Sequence, residues 1–405
     1  LMSGGTKTVD DAKWFAEILN GIASATDGPD RLSYLRLVEL NDATIENLTP
    51  SGGDTIILKD LNAALHRHSS VLRINATATV IIDDAATKVD LDVNYDDTRQ
   101  RINGSAKLNG LTFSTAARAL SLGETMVSWS APLDTELSFE FQPTWTLQSA
   151  SGSLGSQNGN LGLPALFSKP HHFDALGLEF AYEATADQLD ITSLTLREGE
   201  VNASVGMKVS DLAKAPTISL RASTKGFPGD RLRHYWPPTL GIDARNWVLG
   251  NLEGGTVPKA SVEVDVKIDP SNPEPITIMH LAGGINFQNV TGYYFRPLPP
   301  VTEIAGRATF NLTQFDIIID SGRRDMLKLE KSRVQFVNLD TNQEKAEIDA
   351  IVRGPLQAGL DIINHEALDL GRHIKLDTKS VSGLAGARLR FAFPLIKSLT
   401  LDQVD

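Results

Sequence analysis

The sequence predicts an all-β protein, built as a long antiparallel meander with a few short helices. Apolar residues recur at every second position in many stretches, and short polar connectors separate these stretches. Apolar residues make up 41% of the chain but aromatic residues only 6%, so aliphatic side chains must do most of the packing. A strand with this alternation places one face on apolar material and the other in water, which is typical of antiparallel sheets.

The strands are predicted from the alternating stretches in chain order. The clearest run from Leu72 to Ile82, Val89 to Tyr95, Leu137 to Phe141, Leu176 to Tyr182, Val201 to Val209, Val262 to Ile268 and Ala387 to Phe393. Hairpin turns are predicted at Asp83-Asp84, Asp96-Asp97, Ala186-Asp187, 197–200 and 340–342. The pattern predicts about 20 strands, and at roughly 4.8 Å per strand a flat sheet would extend on the order of 90–100 Å. Such a sheet must twist, curl or split.

Helices are predicted where the period of two is lost. The first lies within residues 1–30, where Thr8 caps a segment with one apolar face, and the others lie at 114–122, 228–252 and 355–370. This pattern divides the chain into an N-terminal helix (1–30), a first β segment (31–227), a helical interruption (228–255) and a second β segment (256–405).

Charge and cysteine content exclude several classes of function. The net charge is −12 and the basic residues are scattered, so a protein that tracks nucleic-acid phosphates is not expected. The absence of cysteine excludes disulfides, thiolate metal sites and thiol nucleophiles, and it suits an oxidising compartment. No apolar run is long enough to span a membrane and no signal peptide opens the chain. We therefore expect a fragment whose export signal or membrane anchor lies outside it.

Catalytic and metal-binding motifs give no support for an enzyme or a cofactor. The nucleophile elbow, the P-loop and the dinucleotide-binding fingerprint do not occur. His66 and His68 share one face of a strand and would form half of a zinc site, but no third ligand has suitable spacing, so surface histidines are favoured. Asp90 and Asp92 lie on a strand, whereas calcium needs a denser loop. Six Asn-x-Ser/Thr triplets are attributed to chance in Thr- and Ser-rich strands.

The most unusual local sequence is the helical interruption, residues 231–248. Its aromatic residues would bind a ligand in one interpretation. We favour the structural one, in which prolines break two short helices and Trp236 and Trp247 pack against the sheet.

Two groups of motifs point to a known family. The first is Tyr235-Trp236-Pro237, Arg245, Trp247-Val248 and 254–257, and the second, towards the C-terminus, is Gly354-Pro355-Leu356, Val381-Ser382-Gly383 and Phe393-Pro394-Leu395. With these motifs the chain resembles large AsmA-like bacterial envelope proteins, in the branch that contains YhdP and, more distantly, TamB. The resemblance implies a periplasmic protein anchored in the inner membrane. It also implies a long sheet bent into an open, taco-like β-groove, which moves phospholipids to the outer membrane.

Three functions follow as hypotheses. The first is a groove that shields acyl chains, with phospholipids and membrane proteins as partners and no nucleic acid. The second is an assembly factor that offers sheet edges to the strands of outer-membrane proteins. The third is a carbohydrate-binding or adhesin-like β protein. A sheet that collapsed into a closed, dry core would argue against the first.

On each strand, the apolar member of the alternating pair should line the groove and contact lipid. The residues chosen on this basis are Leu178, Phe180, Val205, Met207, Val264, Val266, Phe310, Leu312, Ile348, Ala350, Leu389 and Phe391.

Overall fold

The computed structural model describes residues 36–48, 56–82, 85–112, 128–272, 275–294, 296–365 and 380–395. The predicted helices at 1–30 and 114–122, the turn at Asp83-Asp84 and the end of the helix predicted at 355–370 lie outside the described residues.

The described residues form 20 strands, four of which flank short helical segments. The strands are β1 Leu37–Leu48, β2 Ile56–His68, β3 Val71–Ile82, β4 Ala85–Asp96, β5 Arg101–Leu111, β6 Ser128–Trp129, β7 Leu133–Phe141, β8 Leu147–Gly162, β9 His171–Glu183, β10 Gln188–Glu198, β11 Val201–Ser210, β12 Thr217–Pro228, β13 Leu252–Glu253, β14 Thr256–Ile268, β15 Ile276–Gly292, β16 Val301–Asn311, β17 Gln314–Arg324, β18 Leu327–Val337, β19 Lys345–Pro355 and β20 Leu384–Pro394. The helices are a 3₁₀ turn Gly229–Arg231, α1 Leu232–Tyr235, α2 Ile242–Asn251 and α3 Leu356–Ile363.

The predicted fold class is confirmed, because the strands are antiparallel and form a 20-stranded sheet that does not close into a barrel. The seven alternating stretches all lie within strands, and the described predicted turns connect them. The chain divides into two compact units, and the division runs through β11.

The first unit is a meander of β1 to β10. Each strand pairs with the next, except that β5 pairs with β7 and the two-residue strand β6 pairs with the far end of β8. Hairpins of this kind need few connecting residues, which is why the strands follow one another so closely in the sequence.

The second unit repeats the meander from β14 to β20. Strands β13 and β14 both pair with β15 and are separated by Gly254 and Gly255, which adopt positive φ angles of 65° and 74°. Gly229 packs so closely here that a Cβ on it would lie 2.0 Å from the carbonyl oxygen of Gly254. Glycine adopts the positive φ angles of 254 and 255 without strain, and at Gly229 only a residue without a Cβ leaves room for the carbonyl oxygen.

A β-bulge keeps β10 in phase with its neighbour. Leu189 and Ile191 alternate on odd positions, but Leu194 and Leu196 lie on even positions, and the pairing with β9 shifts between Ile191 and Ser193. The extra residue is Thr192. This bulge turns the strand so that Leu189, Ile191, Leu194 and Leu196 all lie on one face of the sheet.

The buried core of the first unit sits at the strand ends. One cluster contains Leu72, Tyr95 and Ile102, with Trp145 from the β7–β8 turn packed against it. The second contains Ala131, Phe173 and Leu176. Between these ends most apolar side chains of the sheet are only half-buried.

Candidate functional site

The apolar face of the first unit is continuous from strand to strand. Residues directly opposite each other in an antiparallel pair lie on the same face, so the register defines rows that cross the sheet. Two neighbouring rows run from β1 to β10. They are Val38–Leu65–Ile74–Val93–Gly104–Phe139–Ala150–Tyr182–Leu189 and Leu40–Ala63–Ala76–Leu91–Ala106–Leu137–Gly152–Phe180–Ile191. No polar side chain other than the tyrosine hydroxyl interrupts them.

The apolar face of the second unit is built in the same way from β14 to β20. Its two rows are Val262–Gly283–Phe310–Phe315–Phe336–Ala346–Phe393 and Ala260–Ile285–Ala308–Ile317–Val334–Ile348–Phe391. Within the first row, the rings of Phe310 and Phe315 stack at 5.9 Å and those of Phe315 and Phe336 lie 6.3 Å apart. The aromatic residues therefore form a continuous apolar strip.

Both apolar faces remain accessible to solvent. Small residues of the rows, such as Ala106 and Ala346, are buried, but the larger side chains of the rows are half-buried or exposed. Phe391 and Leu389 on β20 are each 41% exposed, and Leu40 on β1 is 46% exposed. A packed core would bury such side chains almost completely. These faces therefore offer an extended apolar surface to a ligand.

The opposite face of the sheet is polar and carries cross-strand ion pairs. Lys107 on β5 lies 2.9 Å from Glu136 on β7, and Arg333 on β18 lies 2.7 Å from Asp316 on β17. Exposed pairs of this kind add little stability. Their effect is to keep this face hydrated and to oppose any change of register.

Hydrogen bonding lowers the pKa of two carboxyls on the polar face. The Arg73 guanidinium donates to Asp92 at 2.7 Å, and this bond is the main reason that the pKa of Asp92 lies below its usual value. Arg388 does the same for Asp349, whose pKa is lowered further by Arg390. Both carboxylates therefore stay charged well into the acidic range.

The structure collects most of the predicted groove residues on the two apolar faces. The second unit holds Val264, Val266, Phe310, Ile348, Ala350, Leu389 and Phe391 on its apolar face, and the first unit holds Leu178 and Phe180. Val205 and Met207 are half-buried positions of β11.

Leu312 lies outside the strands. It occupies the turn between β16 and β17 and is 37% exposed. The turn closes there because the Asn311 side-chain oxygen accepts hydrogen bonds from the backbone N–H groups of Thr313 and Gln314, both at 2.9 Å. Asparagine favours this local bonding, which ends β16 one residue before Leu312.

The helical interruption is a structural connection between β12 and β14. Arg245 donates from Nε to the carbonyl oxygen of Trp236 at 3.1 Å, and the Trp236 indole donates to the carbonyl oxygen of Leu240 at 2.8 Å. The expectation that both tryptophans pack against the sheet is wrong for Trp247, which is 49% exposed. Ile242 and Trp247 are five residues apart in α2, a spacing that gives the helix no single apolar face to bury.

The candidate metal ligands do not assemble into a site. Within the described ranges, no group of three His, Asp or Glu side chains lies close enough to hold an ion. His66 and His68 are exposed, and Asp92 is hydrogen-bonded to Arg73, Asn75 and Asn94. None of the described helices is both long and apolar enough to cross a membrane.

Sequence reasoning missed the glycines of the apolar faces. A Cβ on Gly104 would lie 2.9 Å from the Phe139 ring, one on Gly306 2.9 Å from the Phe287 ring, and one on Gly159 2.5 Å from the Phe173 ring. In each case a phenylalanine of the neighbouring strand covers the glycine. A glycine within an alternating stretch was the available signal, since it marks a close approach.

The fold and these faces define an open antiparallel β protein with one ion-paired face and one apolar face accessible to ligands. Within this class, the chain belongs to the YhdP family, because the family model described as YhdP protein matches residues 135–400, more than half of the chain. The resemblance to the AsmA-like branch that contains YhdP is therefore confirmed. No curated protein matches the chain.

Proposed function

We propose that this chain is a periplasmic lipid-conducting groove, which shields the acyl chains of phospholipids on their way between the inner and outer membranes. The observation that carries the proposal is the uninterrupted set of apolar rows on each unit. The larger side chains of these rows are half-buried or exposed, so a ligand can contact them. Membership of the YhdP family supports the same role. In this proposal the apolar faces take the acyl chains, while the head groups stay in water.

The energetics of transfer favour such a surface. Each methylene group that leaves water gains about 0.8 kcal/mol, so a lipid outside the bilayer needs an apolar surface of comparable extent. Four strands side by side cover roughly 19 Å, enough for much of an acyl chain laid along a row. The rows of both units continue well beyond that width.

Movement along the surface requires that no position hold the lipid tightly. The rows consist of Val, Leu, Ile, Ala, Gly and Phe, whose contacts with a hydrocarbon chain are non-directional. A chain that moves by one strand exchanges one set of apolar contacts for an equivalent set. The barrier between neighbouring positions should therefore be low.

Photo-crosslinking from matched neighbouring positions tests the proposal. A benzoylphenylalanine in place of Phe391 or Val264 lies on the apolar face, whereas one in place of Arg390 or Glu263 lies on the polar face. After expression in a Gram-negative host and irradiation, mass spectrometry should find phospholipid adducts at the apolar positions alone. Equal adduct yields on both faces, or none on the apolar face of folded protein, would refute it.

A second candidate function is strand pairing with a client protein, and the edge strand β20 is the observation that favours it. β20 pairs with β19 along its length, and Leu384 at its start is 88% exposed. Against this, Arg388 and Arg390 lie on β20, and charged side chains are a common protection of sheet edges. Crosslinkers on β20 that captured polypeptide instead of lipid would favour this second function.

A further inference from the structure

The hairpin between β17 and β18 places a cation at the end of the second unit's apolar face. Arg324 ends β17 and lies directly opposite Leu327, the first residue of β18. Gly354 lies on the apolar face, because it alternates along β19 with Ile348 and Ala350. A Cβ built on Gly354 would lie 2.8 Å from Cδ2 of Leu327, so the Leu327 side chain lies on the apolar face too. Since opposite residues share a face, the Arg324 side chain leaves the sheet on that face as well.

Arg324 differs from the arginines of the polar face in its partners. Arg333 and Arg353 of the same unit lie 2.7 Å and 3.0 Å from the carboxylates of Asp316 and Glu330. Arg324 has no carboxylate partner among the described residues. Within the described ranges, its side chain makes one hydrogen bond, which Nη1 donates to the neutral hydroxyl of Tyr294 at 2.9 Å.

The surroundings of Arg324 are partly desolvated. The residue is half-buried, and its Nε atom is buried with no hydrogen-bond acceptor in the part of the chain that the structure describes. Tyr294 is 52% exposed, and the partial burial of its phenol raises its pKa. A guanidinium that has lost part of its hydration and has no counter-charge is costly, and an anion that accepts from its free N–H groups would offset that cost.

We propose that Arg324, positioned by Tyr294, binds the phosphate group of a glycerophospholipid whose acyl chains lie on the apolar face of the second unit. This rests on the proposed lipid-conducting function and adds a head-group contact to it. The planar guanidinium has five N–H donors and only one is used by Tyr294, so a phosphate can be bound through two parallel hydrogen bonds.

The distances along the strand suit a bound phospholipid. From Arg324 to Ile317, which lies in an apolar row, β17 rises about 23 Å. The acyl chains of one leaflet span about half of a hydrocarbon core that is roughly 30 Å thick. A phosphate at Arg324 therefore leaves the chains on the apolar face between the strand end and the row at Ile317, while the rest of the head group reaches water beyond the strand end.

Competition between two lipids with the same chains tests this site. The delipidated protein is mixed with equal amounts of dioleoylphosphatidylglycerol and dioleoylglycerol in mild detergent, and native mass spectrometry gives the ratio of the two complexes. Arg324→Gln should lower the phosphatidylglycerol-to-diacylglycerol ratio about tenfold, because a hydrogen-bonded ion contact is lost. Tyr294→Phe should lower it less, and Arg324→Lys should retain part of it.

Arg353→Gln is the matched control, since it removes one positive charge from the polar face of the same unit. It should leave the ratio unchanged, and circular dichroism should show the same fold for all variants. An equal change in Arg324→Gln and Arg353→Gln, or no change in either, would overturn the site while the proposed function stands. Failure of the unmodified protein to bind either lipid would remove both. If inorganic phosphate binds the unmodified protein but not Arg324→Gln, while the two proteins give the same phosphatidylglycerol-to-diacylglycerol ratio, Arg324 is assigned to free phosphate and the lipid contact is overturned.

Discussion

Replacing Gly283 by alanine should force the Phe310 ring off the sheet. The two residues are directly opposite in β15 and β16, and the ring lies across the glycine. A Cβ on Gly283 would lie 2.1 Å from Cζ of Phe310 and 2.6 Å from both Cε atoms. Carbon atoms normally approach to about 3.5 Å, so the ring must move by more than an ångström.

The neighbouring Gly284 provides the control. It points to the polar face, and a Cβ there would meet the carbonyl oxygen of Ala308 at 3.6 Å, an ordinary contact. Overpacking of this kind costs about 1–3 kcal/mol, whereas an alanine that fits a strand interior gains roughly 0.5–1 kcal/mol over glycine. Gly283→Ala should therefore be less stable than Gly284→Ala by about 2 kcal/mol.

Urea unfolding followed by circular dichroism measures this difference, and Phe310→Leu completes a double-mutant cycle. In the Phe310→Leu background the cost of Gly283→Ala should largely disappear, because the smaller side chain leaves room for the Cβ. A displaced Phe310 ring would also block the path of an acyl chain. The amount of copurified lipid should therefore fall with Gly283→Ala but not with Gly284→Ala. Equal stabilities of the two alanine variants, or strict additivity in the cycle, would refute the reasoning.

Three further predictions concern charge. Leu389→Asp should keep the fold and lose bound phospholipid in lipid extraction, because Leu389 is 41% exposed and water can reach the carboxylate, whereas Leu72→Asp, at 0% exposure, should unfold the protein by circular dichroism. Burial, helped by Asp97, raises the pKa of Tyr95 from 10.0 to about 12. The free energy of unfolding should therefore fall by about 3 kcal/mol as the pH rises through those values, and Tyr95→Phe should remove that decline in urea titrations. The hydrogen bond from Arg388 holds the pKa of Asp349 low. The ionised Asp349 should therefore stabilise the folded protein until the pH falls through that lowered pKa, and Asp349→Asn should show a smaller loss of thermal stability on acidification.

Strand positions were predictable from the sequence because alternation is a local property. The run Val262, Val264, Val266, Ile268 has period two, and it lies within β14. Any chain with such a run gains most by placing the apolar side chains on one face. The same reasoning located the helix that starts at Leu356, since Gly354-Pro355 ends the preceding strand.

Pairing and register were not predictable in this way. Alternation shows that Val264 and Val266 share a face, but not that Val264 lies opposite Leu281 while Val266 lies opposite Ile278, with a bulge between them. The change of phase in β10 is visible in the sequence, yet only its pairing with β9 shows that a bulge at Thr192 returns the strand to the same face.

Two residues lie in surroundings that differ from those predicted, each for a local reason. Leu312 continues the pattern of Phe310, but the Asn311 side chain closes a turn and takes Leu312 out of the strand. Trp247 was expected to be buried, but the short helix around it has no apolar stripe and leaves the indole in water.

The sequence by itself determined that this chain is an all-β meander with an apolar and a polar side to each strand, because hydrophobic periodicity acts within a few residues. Only the tertiary structure decided that the apolar sides join into rows across many strands and that Phe310 lies over Gly283. It also decided that Arg324 lies at the end of an apolar face, with no carboxylate partner among the residues described. These features depend on which distant strands pair and at which register. That choice is made by the summed packing of whole strands, which no local pattern contains.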